Sequence, residues 1–121
     1  MLMNDVLDMA VVEELLSLSD DGDPELLLDL IRLFLADGPV KVAAVRDGLA
    51  SKDFDQMERA AHSLKGSSGN LGARRLQNTC EQMQLATRGH DLATTARLAP
   101  QLIAEYEEVE RALHGLQQRY A

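Results

Sequence analysis

One histidine stands beside a lysine and two glycines at helical spacing in the middle of the chain. The stretch, residues 60–72, reads Ala-Ala-His-Ser-Leu-Lys-Gly-Ser-Ser-Gly-Asn-Leu-Gly. Residues three and four apart on a helix are neighbours on one face. His62, Lys65 and Gly66 are therefore predicted to form one patch, which Gly69 extends by a further turn.

The other side of the same predicted helix is apolar. With about 100° of rotation per residue, His62 points about 140° and Gly66 about 180° away from the apolar direction. Lys65 lies on its flank, about 80° away. We therefore predict that His62 and Gly66 face solvent while the opposite face packs in the core. The residues of that opposite face are Phe54, Met57, Ala60, Ala61, Leu64, Ser68 and Leu71.

These residue types suit phosphoryl transfer. A neutral imidazole is a nucleophile and can accept a phosphoryl group on a ring nitrogen. That group carries roughly two negative charges and three acceptor oxygens, which Lys65 can neutralise from one turn away. Gly66 removes a side chain beside the ring, although a helical glycine costs roughly 1 kcal/mol relative to alanine. A large partner that approaches closely would explain this choice.

A second interpretation of the glycines stays open at this point. The run from Gly66 to Asn70 equally fits the end of a helix followed by a loop. In that case Gly66 would adopt a positive φ, and replacing it would destabilise the fold. On its own, an exposed helical histidine is most simply an ordinary surface residue.

The full string argues that His62 is more than an ordinary surface residue. His62-Ser63-Leu64-Lys65-Gly66-Ser67-Ser68, followed by Leu71-Gly72, resembles the signature of the histidine-containing phosphotransfer (HPt) domain. A weaker similarity extends from about Leu15 to the C-terminal helix. The resemblance implies a helical bundle whose histidine carries a phosphoryl group between receiver-domain aspartates in multistep phosphorelays.

The resemblance also implies roles for individual residues. His62 is the phosphorylated residue, on Nε2, with Lys65 as its charge partner and Gly66 as the residue that gives clearance. Some members place a glutamine 22 residues after the histidine, where it hydrogen-bonds the imidazole, and here that position is Gln84. We assign the remaining partner-binding positions to Gly69, Ser63 and Arg59.

Composition places the chain among single-domain helical proteins. Its 121 residues fit one domain, residues 1–121, and with 3% aromatics and no Trp the core must be mainly aliphatic. Three prolines and few β-branched runs favour an all-α fold. No apolar run reaches the length of a membrane span, and no signal peptide is evident. Cys80 is the only cysteine, so we expect a cytoplasmic protein with Cys80 in the core.

Charge is distributed unevenly along the chain. The net charge of −8 makes nucleic acid an unfavourable partner. From Lys52 to Asn78, however, five Lys and Arg residues face three Asp and Glu residues. Receiver active sites in this family's partners are clusters of acidic groups, so this relatively positive zone has the sign needed to steer them.

Turn and cap signals divide the chain into five helices. We predict one kinked helix through Gly38-Pro39, a further kink at Pro100, and a helix from about Gly72 to Thr87. Glu105 to Glu110 is read as a solvated acidic face. The predicted caps and connections are Asp5, the loop 19–22, Asp23 before Pro24, Asp53 after Ser51-Lys52, Arg88-Gly89-His90, and Asp91.

Short connections between long amphipathic helices indicate antiparallel neighbours. We therefore expect an antiparallel four-helix bundle of helices two to five, with the N-terminal helix covering one end. We expect a monomer that acts as a phosphoryl carrier, with no cofactor and no metal. Its partners would be the receiver domains of hybrid sensor kinases and response regulators. The start at Met1 favours a free-standing protein.

Two rival functions remain. The chain could be a docking module for a receiver or sensor kinase that works without phosphorylation, although the His62, Lys65 and Gly66 set argues against it. A metal or hydrolase role is disfavoured because His62, His90 and His114 lack metal-ligand spacing. No glycine-rich phosphate loop is present, so we expect no ATP-dependent kinase activity.

Overall fold

The described part of the chain is entirely helical. A computed structural model describes residues 6–18 and 22–121, and it contains five helices and no strand within them. This confirms the predicted all-α fold. The helices are α1 (Met9–Ser17), α2 (Glu25–Ser51), α3 (Phe54–Asn70), α4 (Arg74–Arg88) and α5 (Leu92–Tyr120).

The helices pack around one aliphatic core. Helix α2 contacts α3, α3 contacts α4, α4 contacts α5, and α5 returns to contact α2. The most extensive packing joins α3 and α4. Burial of large side chains between these helices removes apolar surface from water and is the main favourable term in folding. The largest fully buried side chains are Leu7, Leu27, Ile31, Met57, Leu64, Leu71, Leu76, Met83, Leu98, Leu102, Leu113 and Leu116.

Aspartate side chains begin three of the helices as the sequence predicts. Asp53 and Asp91 each accept a hydrogen bond of 3.0 Å from the backbone N–H three residues on, at the start of α3 and α5. Asp23 accepts one from the N–H of Glu25, with Pro24 between them. These bonds satisfy N–H groups that a helix start leaves without partners. The predicted cap Asp5 and loop residues 19–21 lie outside the described residues.

Helix α1 is anchored on the turn between α3 and α4. The Asp8 N–H donates to the Gly72 carbonyl at 2.8 Å, and the Asp8 carboxylate accepts from Arg74 Nε at 2.8 Å. This contact with Arg74 lowers the pKa of Asp8. Gly72 has a φ of +77°, which suits glycine and reverses the chain. The next helix was predicted to start near Gly72, but this turn delays the start of α4 to Arg74.

Prolines lie inside two continuous helices. Pro39 is within α2 and Pro100 is within α5, so the prediction of a single helix through Gly38-Pro39 is confirmed. Packing explains why position 38 is a glycine. A Cβ at this position would lie 2.5 Å from Cε2 and 2.6 Å from Cζ of Tyr106 on α5. The glycine therefore lets α2 and α5 approach closely, and it does not break the helix.

One expectation about α5 is wrong and one about α4 is confirmed. Glu105, read as part of a solvated acidic face, is buried, because Tyr106 and Val109 turn this part of α5 toward the core. Its Oε1 has no hydrogen-bond partner within the described residues.

Cys80 is fully buried as predicted, and desolvation, with Glu105 nearby, raises the pKa of its thiol to about 12.

The packing at Gly38 can be tested by one added methyl group. We expect Gly38→Ala to destabilise the protein by about 1–3 kcal/mol, because the Tyr106 ring is buried and stacked on Phe34 and has little room to move. The measurement is the free energy of unfolding in urea. Gly66→Ala is the matched control, and it should gain about 1 kcal/mol because a Cβ there meets nothing within 4 Å. Equal effects of the two substitutions would contradict this account of Gly38.

Candidate functional site

Helix α3 presents His62 to solvent and its other face to the core. His62 and Gly66 are exposed, and Lys65 is half-buried between them and the core. Of the residues predicted to face inward, all are buried except Phe54. Phe54 is half-buried and stacks on His90 with ring centroids 4.7 Å apart. The helical rotation count therefore places the residues of this segment correctly.

Gln84 reaches His62 from the neighbouring helix. Its Nε2 lies 3.0 Å from Nδ1 of the imidazole, across the contact between α3 and α4. Gln84 is buried, with 3% of its surface exposed, whereas the ring it contacts is exposed. A side chain that is fixed by burial can hold a mobile surface ring in one orientation. The contact leaves Nε2 as the ring nitrogen available to a partner.

The chemistry of this contact depends on which end of the amide faces the ring. A glutamine amide offers NH₂ donors on one side and a carbonyl acceptor on the other, and a half-turn exchanges them. A neutral imidazole has one protonated nitrogen and one with a free lone pair. In the structure the NH₂ end of the amide faces Nδ1, and in this orientation it donates to Nδ1 while the ring proton lies on Nε2. For Nε2 to act as a nucleophile, Nδ1 must carry the proton, so the amide must take the half-turned orientation and accept that proton on Oε1. In the half-turned orientation, the contact at Nδ1 selects the reactive tautomer.

Gly66 lies in the helix interior. Helix α3 continues through it to Asn70, and the positive-φ glycines of the described residues are Gly22 and Gly72. A Cβ built at Gly66 has no neighbour within 4 Å. The interpretation of Gly66 as a turn residue is therefore excluded. The backbone here is bare toward solvent, one turn beyond His62.

The other partner-binding positions differ in their surroundings. Gly69 is half-buried, and a Cβ there would lie 2.6 Å from Gln77 Nε2 on α4, so its missing side chain also gives room to a neighbouring helix. Ser63 is half-buried, and its carbonyl accepts a 3.2 Å bond from the Ser67 hydroxyl. Arg59 is exposed and pairs with Asp55 at 2.6 Å.

Lys65 borders a shallow polar depression between α3 and α4. Its other lining residues are Arg74, Gln77, Asn78 and Glu81. Lys65 and Arg74 bring two positive charges to the depression and Glu81 brings one negative charge, while Arg74 is also paired with Asp8. The depression is open to solvent and polar, which suits an ionic partner better than an apolar ligand.

Sequence reasoning missed one ion pair at the site. Arg88 Nε donates to Glu58 Oε1 at 2.6 Å, joining the end of α4 to α3. Glu58 lies four residues before His62, and Arg88 lies four residues after Gln84. These two equal spacings of four residues can be seen in the sequence and could have predicted the pair. Arg88 was interpreted only as part of a helix end.

The structure gives no sign of a metal site or a membrane helix in the residues it describes. Within residues 6–18 and 22–121, no cluster of His, Cys, Asp and Glu side chains is arranged to hold a metal ion. His90 and His114 are exposed and lie apart from His62 in the chain. None of the described helices is long and apolar enough to cross a bilayer.

Comparison with known proteins identifies the family. A family model described as the Hpt domain matches residues 29–112, which include α3, α4 and most of α2 and α5. The chain belongs to the Hpt domain family. The predicted resemblance is thereby confirmed.

Individual relatives agree with the family match. The chain is 28% identical to histidine-containing phosphotransfer protein 2 of Arabidopsis thaliana over 106 residues, 85% of this chain and 68% of that protein. It is 28% identical to phosphorelay intermediate protein YPD1 of Saccharomyces cerevisiae over 67% of this chain and 48% of that protein. The crystal structure of HptB from Pseudomonas aeruginosa superposes with a TM-score of 0.85 at 27% identity, covering 96% of this chain and 97% of that one. These matches confirm a histidine phosphotransfer function in a phosphorelay.

The bare backbone at Gly66 provides a test that separates folding from docking. We expect Gly66→Gln to leave the protein folded and more stable by several tenths of a kcal/mol, because glutamine is the better helix former. The new side chain would project beside His62, so binding of a receiver domain and phosphoryl transfer should both fall at least tenfold, by roughly the cost of a misplaced reacting group. Thermal melting and transfer rates are measured on the same variant. Normal transfer in a stably folded variant would show that clearance at Gly66 is not required.

Proposed function

We propose that His62 is the residue that carries the phosphoryl group, on Nε2. The observation that carries this proposal is an exposed imidazole whose Nδ1 is held at 3.0 Å by the buried Gln84, one turn from a bare Gly66. The donor and the acceptor would be aspartates of receiver domains of hybrid sensor kinases and response regulators. Each partner would dock over the same exposed face of α3.

The transfer step needs no cofactor. The Nε2 lone pair attacks the phosphorus of an aspartyl phosphate, the P–O bond to the carboxylate breaks, and a P–N bond forms. The departing carboxylate keeps the electron pair, and Nδ1 keeps its proton, which the Gln84 oxygen can accept. Passing the group to a second aspartate reverses these events. The chain would thus act as a carrier without ATP-dependent kinase activity of its own.

Charge on this face supports an acidic partner. Lys65, three residues after His62 on α3, lines a depression together with Arg74, which pairs with Asp8. Arg59, which pairs with Asp55, is exposed near the start of α3. Positive groups around a docking site raise the association rate with a negatively charged surface and weaken as salt is added. This arrangement favours a receiver active site over nucleic acid, given the net charge of −8.

We extend the proposal to the arrangement of the helices, the oligomeric state, the domain bounds and the cellular compartment. The ring of contacts from α2 through α5 supports an antiparallel four-helix bundle with α1 at one end. We propose a monomer consisting of one domain over residues 1–121. The single cysteine, buried in the core, favours a cytoplasmic place of action.

Phosphorylation of His62 can be tested directly. A phosphorylated receiver should transfer label to the wild-type protein, and that label should be acid-labile and alkali-stable, as expected of a phosphoramidate. His62→Gln should abolish the label with melting unchanged, because the ring is exposed. His114→Gln, at an exposed position on α5, is the matched control and should label normally.

Retention of label in His62→Gln would assign the phosphoryl group to another residue. If wild-type protein binds the receiver and never becomes labelled, the chain is instead a docking module that works without phosphorylation.

Lys65 should assist transfer while contributing little to stability. Lys65→Ala is expected to slow transfer or shorten the lifetime of the phosphohistidine, because a positive charge near the phosphoryl oxygens is lost. Its effect on the free energy of unfolding should stay within about 1 kcal/mol, as for a partly exposed charge on a helix. Single-turnover transfer and urea unfolding are the measurements. A large loss of stability together with normal transfer would reverse this assignment.

A further inference from the structure

The ion pair between Glu58 and Arg88 lies one helical turn from the contact between His62 and Gln84. Both pairs join α3 to α4, and both are short, at 2.6 Å for Arg88 Nε to Glu58 Oε1 and 3.0 Å for Gln84 Nε2 to His62 Nδ1. One turn of helix advances about 5.4 Å. The guanidinium group is therefore held within about one turn of the ring that would carry the phosphoryl group.

The pair is placed where it can exchange partners. Arg88 is the last residue of α4, and its side chain is 56% exposed, while that of Glu58 is 29% exposed. Ion pairs in contact with water contribute little to stability, because solvent screens them and because two long side chains must be ordered. A stronger anion nearby can thus recruit the arginine without disturbing the core.

Phosphorylation would supply that anion. A phosphoryl group brings a charge of about −1.5 to −2 and three strong acceptor oxygens. It would form one turn from Glu58 on the same helix face, so the carboxylate and the phosphoryl group repel each other. A guanidinium group binds phosphoryl oxygens with two parallel N–H bonds, which an ammonium group cannot do.

On the basis of the proposed function, we propose that Arg88 is a positioning residue with two partners. Glu58 holds it in the unphosphorylated protein, and the phosphoryl group on His62 takes it over once formed. Lys65 lies three residues after His62 on α3, in the depression that Glu81 also lines. The phosphorylated site would therefore have one cation from each helix.

This exchange should lengthen the life of the phosphohistidine. The phosphoryl oxygens on His62 and the Glu58 carboxylate, one turn away on the same face, repel each other, and this repulsion favours loss of the phosphoryl group. A guanidinium group that binds those oxygens offsets the repulsion. Removing Arg88 should thus speed the loss of phosphate. Removing Glu58 should leave Arg88 available to bind the phosphoryl group on His62.

The experiment uses phosphoramidate as a small-molecule donor, so that no receiver is needed. The donor reacts with its amino group protonated. As the bond from Nε2 to phosphorus forms, the donor's P–N bond breaks, ammonia leaves with that electron pair, and Nδ1 keeps its proton. We expect Arg88→Gln to shorten the half-life of the phosphohistidine by roughly three- to tenfold, the size of an exposed charge-assisted contact. Glu58→Gln should match or exceed the wild-type half-life.

Arg32→Gln is the matched control. Arg32 is also ion-paired, with Glu25 and Asp29, and its side chain is 54% exposed, but it lies on α2. The Arg32→Gln substitution removes the same charge as Arg88→Gln and should leave the half-life of the phosphohistidine unchanged. Melting curves of all variants confirm that each is folded.

A second readout does not depend on substitution. In ¹⁵N-resolved NMR spectra of the wild-type protein, the Nε–Hε signal of Arg88 should shift on phosphorylation while that of Arg32 stays in place. An unmoved Arg88 signal, or an Arg88→Gln half-life equal to that of Arg32→Gln, would overturn the partner exchange. If phosphoramidate labels no variant on His62, the proposed function itself fails and this inference falls with it.

Discussion

The packing of α3 against α4 decides where the residues of the candidate site lie. Glu58 and His62 on α3 meet Arg88 and Gln84 on α4, which fixes the two helices as antiparallel and in one register. About two turns further along, Gly69 leaves room for Gln77. A shift of this register by one residue would turn Gln84 away from the ring. The site thus depends on the core that lies beneath it, where Met57, Leu64, Leu76 and Met83 are fully buried.

Under the proposed function, that arrangement gives the phosphoryl-transfer site a fixed part and an open part. Gln84 is buried and limits the freedom of the ring, so less ordering remains to be done when a partner arrives. His62 and Gly66 are exposed and leave the approach to Nε2 open. Lys65 follows His62 by about one turn on α3, and Arg88 on α4 pairs with Glu58 one turn before His62, so each helix adds one positive group near the ring.

Local signals predicted the histidine helix well and tertiary contacts poorly. The cap at Asp53 and the rotation of His62 away from the core both follow from near neighbours in the chain, and the structure agrees with them. The family spacing led to Gln84. Gly38 was read only as part of a kink with Pro39, whereas the residue it makes room for is Tyr106, 68 positions away, which no local pattern reports. Burial of Glu105 likewise depends on how α5 is turned by its apolar neighbours.

The central claim is that Gln84 selects the tautomer that makes Nε2 of His62 the reactive nitrogen. The most direct test is ¹⁵N NMR of the His62 ring, before and after phosphorylation, at a pH where the ring is neutral. The account predicts a protonated Nδ1 before transfer and a phosphoryl group on Nε2 afterwards, with the preference for protonated Nδ1 lost in Gln84→Leu. A proton on Nε2 in the wild-type protein, or a phosphoryl group on Nδ1, would contradict it.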